Sequence, residues 1–333
     1  MITIRQEEHW YEDADLSLFI QDQAANGTLF HRPKFLEYHD DSKFENRKKI
    51  QFRFFKHNKL IGYINGVVDT SAESSVFISP FGASYGGLIY SSDLDYKEIE
   101  TIAELLLTEL SQKVNRIKLS TTCQFHSRNG TGAYLDYILL RYGFTITKSD
   151  MPLVHEVRDT EQLTGRLDKK TATELKQPLQ KNPLTSEIID GIDKESYNLL
   201  LDSQVRLSSF PTHTFDELLK IEELLPGTIK TLKTTLNGNL LSAITTMRVS
   251  DRVLNTFYIY DSIEGRPVKA NHFSYYMVLK YAFENNYKYV DFGPSTFGWT
   301  PNYPLIAFKE KFDTIPYLRH TFEKEVAPDD SQH

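Results

Sequence analysis

The sequence predicts an α/β protein that uses one unit twice, each copy a mixed, mostly antiparallel sheet flanked by helices. Three observations predict it. The chain has 333 residues, more than one hydrophobic core usually organises. Tight turns between apolar runs occur at Asn58-Lys59 and again at Asn237-Gly238, the second a dipeptide that favours two-residue hairpins. Around each turn the same order of signals recurs: strand, hairpin, strand, strand, helix, strand, helix, strand. The predicted domains span residues 1–157 and 158–326, with a polar seam near Glu156–Thr164. The acidic, apolar-poor residues 327–333 read as a frayed tail.

In the first copy, Gln51–Lys56 alternates as a strand, Leu60–Val68 returns beside it, and a third strand lies near Ser75–Ser79. The Gly-rich stretch Pro80–Gly87 follows, read either as a wide turn or as the wall of an acceptor cleft. Asp95 opens a helix as its N-cap, with Glu98 in the capping-box position. Ile99, Ile102, Ala103, Leu106, Leu110 and Val114 then recur at helical spacing. A strand from Arg116 to Ser120 and a helix through Tyr134, Ile138 and Leu139 come next. Gly143 stops that helix, because glycine tolerates a left-handed C′ residue, and a strand starts at Phe144.

Between the copies runs a basic, helix-prone stretch with Arg166, Lys169, Lys170, Lys176 and Lys181. A helix through Tyr197, Leu200, Leu201 and Val205 ends near Arg206, and Thr214 with Glu217 caps another that Pro226-Gly227 stops. The second copy reads as strands Thr228–Leu236, Asn239–Val249 and Val253–Tyr260. A helix through Phe273, Met277 and Tyr281, a strand Lys288–Phe292, a short helix around Phe308 and a closing strand Ile315–Phe322 complete it.

Composition excludes several classes. Forty per cent apolar and 25% charged residues describe a globular chain, and no run approaches the ~18–20 apolar residues of a membrane span. The first residues lack the basic start and apolar stretch of a secretory signal. A single cysteine, Cys123, permits no internal disulfide and suits a reducing cytoplasm; it is read as a packing residue, or a nucleophile. The net charge of −7 argues against DNA binding. Scattered histidines and the absence of a cysteine pair predict no metal site. No Walker loop or Gly-x-Gly-x-x-Gly appears, against NTPase and dinucleotide chemistry.

The run Asp291-Phe292-Gly293-Pro294-Ser295-Thr296, followed by Phe308-Lys309-Glu310-Lys311-Phe312, resembles the C-terminal signature of Fem-type proteins. These are tandem GNAT-fold acyltransferases that include the peptidoglycan bridge aminoacyltransferases. Tyr134–Phe144 resembles the close of a GNAT domain, and Phe210–Leu218 resembles the Fem-type segment before the second sheet. The resemblance departs from the family at Asp313, where a glycine is usual, and at Pro304-Leu305 in place of Gly-Leu.

The resemblance implies transfer of an acyl or aminoacyl group to an amine of a cell-envelope precursor or amino sugar. By it, Phe308 and Lys309 lie where the donor's acyl ester and phosphates arrive, and Lys309 can stabilise a developing oxyanion; a solvated helix lysine is the alternative. Asp291 can accept the amine proton, or cap the following turn. Ser295 and Thr296 are read as substrate-binding or loop-capping hydroxyls. Lys169, Lys170 and Arg206 suit a nucleotide-linked or lipid pyrophosphate acceptor, or form a solvated helix face. Tyr260 and His126 are further substrate-contact candidates. Arg266, Lys269 and Asn271 occupy the place of the coenzyme A loop, but Lys269 and Asn271 stand where glycines let backbone amides wrap a pyrophosphate. The donor is therefore either an acyl-CoA or a charged tRNA. A conventional acetyl-CoA-dependent N-acetyltransferase and a catalytically inactive binding module are the alternatives. A monomer or weak dimer with at most peripheral membrane contact is expected.

Overall fold

The computed structural model describes residues 1–71, 74–159, 165–167, 169–176 and 184–326. Lys181, residues 160–164 of the expected seam and the expected tail lie outside the described residues. In chain order the strands are β1 (Ile2–Glu7), β2 (Arg47–Lys56), β3 (Lys59–Asp69), β4 (Val76–Ser79), β5 (Ile89–Tyr90), β6 (Arg116–Ser120) and β7 (Thr145–Asp150), then β8 (Pro152–Glu156), β9 (Thr185–Asp190), β10 (Ile229–Leu236), β11 (Asn239–Arg248) and β12 (Val253–Asp261). They end with β13 (Tyr289–Pro294), β14 (Thr296–Phe297), β15 (Thr300–Pro301), β16 (Thr314–Pro316) and β17 (Arg319–Glu325). The helices are α1 (Ala14–Leu18), α2 (Pro33–Leu36), α3 (Tyr96–Ser111), α4 (Gly132–Arg141), α5 (Lys169–Lys176), α6 (Lys194–Arg206), α7 (Phe215–Leu224), α8 (Ala270–Glu284) and α9 (Tyr303–Glu310).

The chain forms two compact units, Met1–Asp150 with Tyr317–His333, and Met151–Pro316. The first holds a sheet of order β1-β2-β3-β4-β6-β17-β7, with β5 also on β3; the second holds a sheet of order β16-β8-β13-β12-β11-β10-β9. Each sheet is antiparallel except for one pair, β4 with β6 and β12 with β13. The units differ from the expected 1–157 and 158–326 because β8 pairs with β13 and β16 in the second unit, while β17 pairs with β6 and β7 in the first. The expected single closing strand Ile315–Phe322 is therefore two strands, β16 and β17, in different sheets.

Local signals explain most elements. Asp95 and Glu98 form both bonds of the capping box on α3, and Ile99, Ile102, Ala103, Leu106 and Leu110 are all buried against the first sheet's core. Thr214 and Glu217 do the same for α7. Gly143 ends α4 at φ +81°. Leu236 pairs with Asn239 around Asn237-Gly238, both left-handed, as an I′-type hairpin needs. In the first hairpin Lys56 pairs with Lys59, so the turn is His57-Asn58, one residue earlier than expected, with both residues at positive φ. β1, β8 and β9 were not anticipated. β9 is a largely exposed edge strand rich in polar residues, and β8 ends where the expected seam begins, at Glu156.

The stretch after β4 fills space. Gly86 N–H donates to the Ser120 carbonyl (2.8 Å) and Gly87 N–H to Ser79 Oγ (3.1 Å), which lays the loop along β6. A Cβ on Gly86 would meet Pro80 at 2.9 Å, so the glycine permits the close return. Tyr85 is buried there.

Candidate functional site

β12 and β13 pair only at Val253–Tyr289, Leu254–Val290 and Asn255–Asp291. Beyond that point β13 continues beside β8, and β12 keeps only β11. At the branch, Asn255 Nδ2 (3.1 Å) and Thr256 Oγ1 (3.4 Å) both donate to the Asp291 carbonyl, so side chains satisfy the group that ends the ladder. A bulge follows at once. Thr256 faces Thr246 and Tyr258 faces Thr245, leaving Phe257 without a cross-strand partner, and bulges of this kind re-aim a strand.

The freed stretch Phe257–Asp261 forms one wall of a cavity of about 790 Å³. α8 contributes Asn271, His272 and Tyr275, α9 contributes Pro304, Leu305 and Phe308, and the end of α6 contributes Ser203 and Gln204. The size and largely apolar lining suit a small organic ligand or the acyl end of a larger one. Burial pushes the Tyr258 hydroxyl up to about 12, and those of Tyr260 and Tyr275 further up. The three phenols are neutral hydrogen-bonding groups at physiological pH.

Charge at this cavity is organised in two clusters. Asp261 accepts from Arg266 Nε (3.2 Å), and its backbone carbonyl accepts from Arg206. Glu174, on α5, lies 3.2 Å from Lys269 Nζ, 3.2 Å from His272 Nε2 and 3.5 Å from Lys311 Nζ. Burial, with the nearby Lys311 charge, depresses His272 to about 4. Its contact with Glu174 is thus with a neutral ring and is not an ion pair. Burial works against the Glu174 carboxylate, but the Lys269 hydrogen bond and surrounding positive charge outweigh it and lower its pKa. Lys269 is the N-cap of α8 at φ 60°, the left-handed backbone in which glycine is at ease.

Beneath Phe308 lies a second arrangement. Lys309 is only 2% exposed, and its Nζ donates to the carbonyls of Gly293 (2.8 Å) and Pro294 (3.1 Å). Burial lowers it from 10.5 to about 8, opposed by the Asp291 charge. Asp291, 4% exposed, accepts from Gly293 N–H (2.8 Å) and fixes the turn in which Gly293 takes φ +73°. Ser295 N–H donates to the Met151 carbonyl (2.9 Å), and Met151 N–H donates to Thr296 Oγ1 (3.0 Å). The lysine clamps the β13 turn to α9.

Of the sequence-derived candidates, Tyr260, Phe308, Arg266, Lys269 and Asn271 line the one cavity, and Arg206 holds Asp261 at its edge. Asp291, Lys309, Ser295 and Thr296 form the supporting loop and do not line it; Asp291 caps its turn, and Lys309 is a buried clamp rather than a solvated helix lysine. Lys169 and Lys170 are exposed at the start of α5 and stand outside the cavity lining. His126 belongs to the first unit and is buried, its ring 5.0 Å from Tyr85 and 4.2 Å from Phe125. Cys123 is buried as well. Sequence reasoning missed Phe257, Tyr258, Asp261 and Glu174. Asp261 had a usable signal, a carboxylate ending an apolar strand five residues before an arginine. Among the described residues no three His, Cys, Asp or Glu side chains converge as a metal site, and no helix is long and apolar enough to cross a membrane.

Neither a family profile nor any curated protein matches the chain. Solved structures do. FemX aligns with a TM-score of 0.70 at 14% identity, over 96% of this chain and 97% of that one. A tandem GNAT protein from the clavulanic acid biosynthesis pathway aligns at 0.55 and 10%, over 99% and 100%. L-PGS from Bacillus licheniformis aligns at 0.54 and 11%, over 96% and 92%. The chain has the tandem GNAT fold shared by these proteins.

Proposed function

We propose that the cavity beside β12 holds the acyl end of a donor, and that an amine attacks the donor carbonyl there. The observation that carries this reading is the parting of β12 from β13. A parallel pair that opens presents backbone N–H and C=O groups to a ligand space instead of a neighbouring strand, and a bound acyl group can satisfy them. As the carbonyl becomes tetrahedral, N–H groups of the freed edge are the fixed donors for the oxyanion, an effect worth a few kcal/mol. The intermediate then collapses to the amide with cleavage of the donor's ester or thioester bond, and the leaving hydroxyl or thiol takes up, through water, the proton the amine gives up. His272, held near 4, is a poor base, so the amine arrives neutral or loses its proton through water. Lys309 acts by holding the turn that shapes the cavity's α9 wall.

The acceptor in this reading is an amine of a cell-envelope precursor or amino sugar, supported by the Fem-type motifs and the fold shared with FemX. The donor is an aminoacyl ester such as charged tRNA. Glu174 already engages Lys269 and Lys311 and offsets one of their two charges, and a lysine side chain stands where a bare backbone loop would wrap a pyrophosphate. A second reading, an acyl-CoA donor, draws on the gathering of Arg266, Lys269 and Lys311 near the start of α8.

Single-turnover transfer from charged tRNA and from acetyl-CoA to a panel of amino-sugar and peptide amines tests the proposal. Leu305→Trp, which fills the cavity, serves as the comparison. Transfer by the wild type that is lost in the folded variant is expected. If neither donor binds or reacts, the inactive binding module replaces the proposal.

A further inference from the structure

The apolar side chains that the protein leaves in water are concentrated around this cavity's mouth. Apart from Met1, eight large apolar residues among the described ones are at least 60% exposed, and all but Tyr137 fall in three segments. Val205, Leu207 and Phe210 end and follow α6; Ile263 sits in the turn before Arg266; Phe297, Trp299 and Tyr303 occupy the β14–β15 ribbon and the start of α9. Leu207, Arg266 and Asn302 line the same cavity, so the three segments meet at one opening. Phe297 and Phe210 are each 82% exposed and Trp299 is 70% exposed. Single exposed apolar residues need no explanation, but a cluster of this kind does.

We propose that this rim is a membrane-docking surface, seating the cavity mouth on a lipid bilayer. The apolar groups are projecting tips, a ribbon and two short turns, rather than one flat face, a form that suits penetration into headgroups better than contact with a folded partner. Trp and Tyr carry amphipathic rings of the type that settle at a membrane interface. The rim is continuous with an apolar wall, from Leu207 through Leu305 and Phe308 to Ile259. The charges at the mouth are Arg206, Arg266, Lys269 and Lys311 against Asp261, Glu174 and Glu264, a surplus of one cation. Insertion of rings therefore dominates, with a small preference for anionic lipid. The inference stands independently of acyl transfer.

Trp10 and Trp299 are the chain's two tryptophans, so a Trp10→Phe protein reports on Trp299 alone. With phosphatidylcholine vesicles, and with vesicles containing phosphatidylglycerol, Trp299 emission should shift to the blue and be quenched by brominated acyl chains. The protein should co-sediment with both, and more with the anionic ones. Phe210→Ser with Phe297→Ser, neither in the cavity lining, should lower partitioning about tenfold with thermal unfolding unchanged. Trp299 emission unmoved by either vesicle overturns the proposal. So does a shift that follows protein concentration without lipid, which would make the rim an interface between copies of the chain.

Discussion

Replacing Lys309 by methionine isolates the clamp beneath the cavity. The unfolded chain holds this proton to pH 10.5 and the folded chain releases it near 8. Between those values the unfolded state binds more protons, so folding gains stability as pH rises. Below pH 8 both states carry the charge and the full cost of burying it is present; above 10.5 that cost is gone. At about 1.4 kcal/mol for each tenfold change in proton affinity, the difference amounts to about 3 kcal/mol. A neutral amine still has two N–H groups for the Gly293 and Pro294 carbonyls, so the clamp survives deprotonation. Lys309→Met lacks the titration and leaves both carbonyls short of a donor, at about 1–3 kcal/mol each if water stays out. Urea unfolding of both proteins from pH 7 to 10.5 checks this, each transition fitted separately because the units can unfold in turn. All other titrations are common to the two proteins and cancel in their difference. The wild type should gain about 3 kcal/mol relative to the variant across the window, leaving the variant the less stable protein at its alkaline end. A gap that does not change with pH would refute the buried, burial-shifted ammonium.

Three further substitutions probe neighbouring parts. Glu174→Gln removes the shared carboxylate from Lys269 and Lys311, so pyrophosphate or acetyl-CoA affinity measured by calorimetry should rise about tenfold; no change would show that Glu174 does not restrain those lysines. Asp291→Ala leaves the Gly293 amide without its acceptor and should cost about 1–3 kcal/mol in urea unfolding, while Asp291→Asn keeps an oxygen there and should cost less. Asp313 holds φ +54° with a partly exposed Arg166 partner at 2.9 Å, a bridge worth under about 1 kcal/mol. Asp313→Gly should therefore exceed Asp313→Ala in stability by about 1 kcal/mol, because only the alanine suffers in a left-handed backbone; equal thermal midpoints would count against it.

What could be read in the sequence was local. Capping at Asp95 and Thr214, the Asn237-Gly238 hairpin and the stop at Gly143 each depend on residues within a few positions, and each is present. Phe308 and Asn271 enter through the family resemblance and Tyr260 as a contact candidate, and the fold brings all three to one cavity. Long-range pairings were out of reach. Glu174 meets Lys269 across 95 positions, and nothing in a Lys-rich helix marks its one glutamate as the partner. The two strands around Tyr317-Leu318 read as one because periodicity reports a strand but not the sheet that receives it. The role of Lys309 illustrates a subtler gap. Its position in a motif was legible, but whether an ammonium meets solvent, substrate or two backbone carbonyls is decided by packing.

The two copies treat the end of their parallel strand pair differently, and in the second a cavity lies beside it. In the first unit β4 is short, and all of it pairs with β6, from Val76–Arg116 to Ser79–Leu119. The chain then leaves the ladder, and its own Gly-rich loop lies along β6 through Gly86 and Ser120. In the second unit the equivalent strand, β12, runs on for six residues after its last pairing with β13, at Asn255. The Phe257 bulge turns that free stretch outward, and helices rather than a loop stand opposite it. An opening between parallel strands leaves backbone groups that need partners. In the first unit the Gly86 amide supplies one such partner, to the Ser120 carbonyl, from a residue with no side chain to obstruct it. The second, lacking such a loop, keeps an open edge lined by neutral phenols and flanked by paired charges. Transplanting the Pro80–Gly87 loop after Asp261 should therefore fill the cavity while the sheet persists. If ligand binding or transfer survived that insertion, the freed edge of β12 would not be where the chemistry occurs.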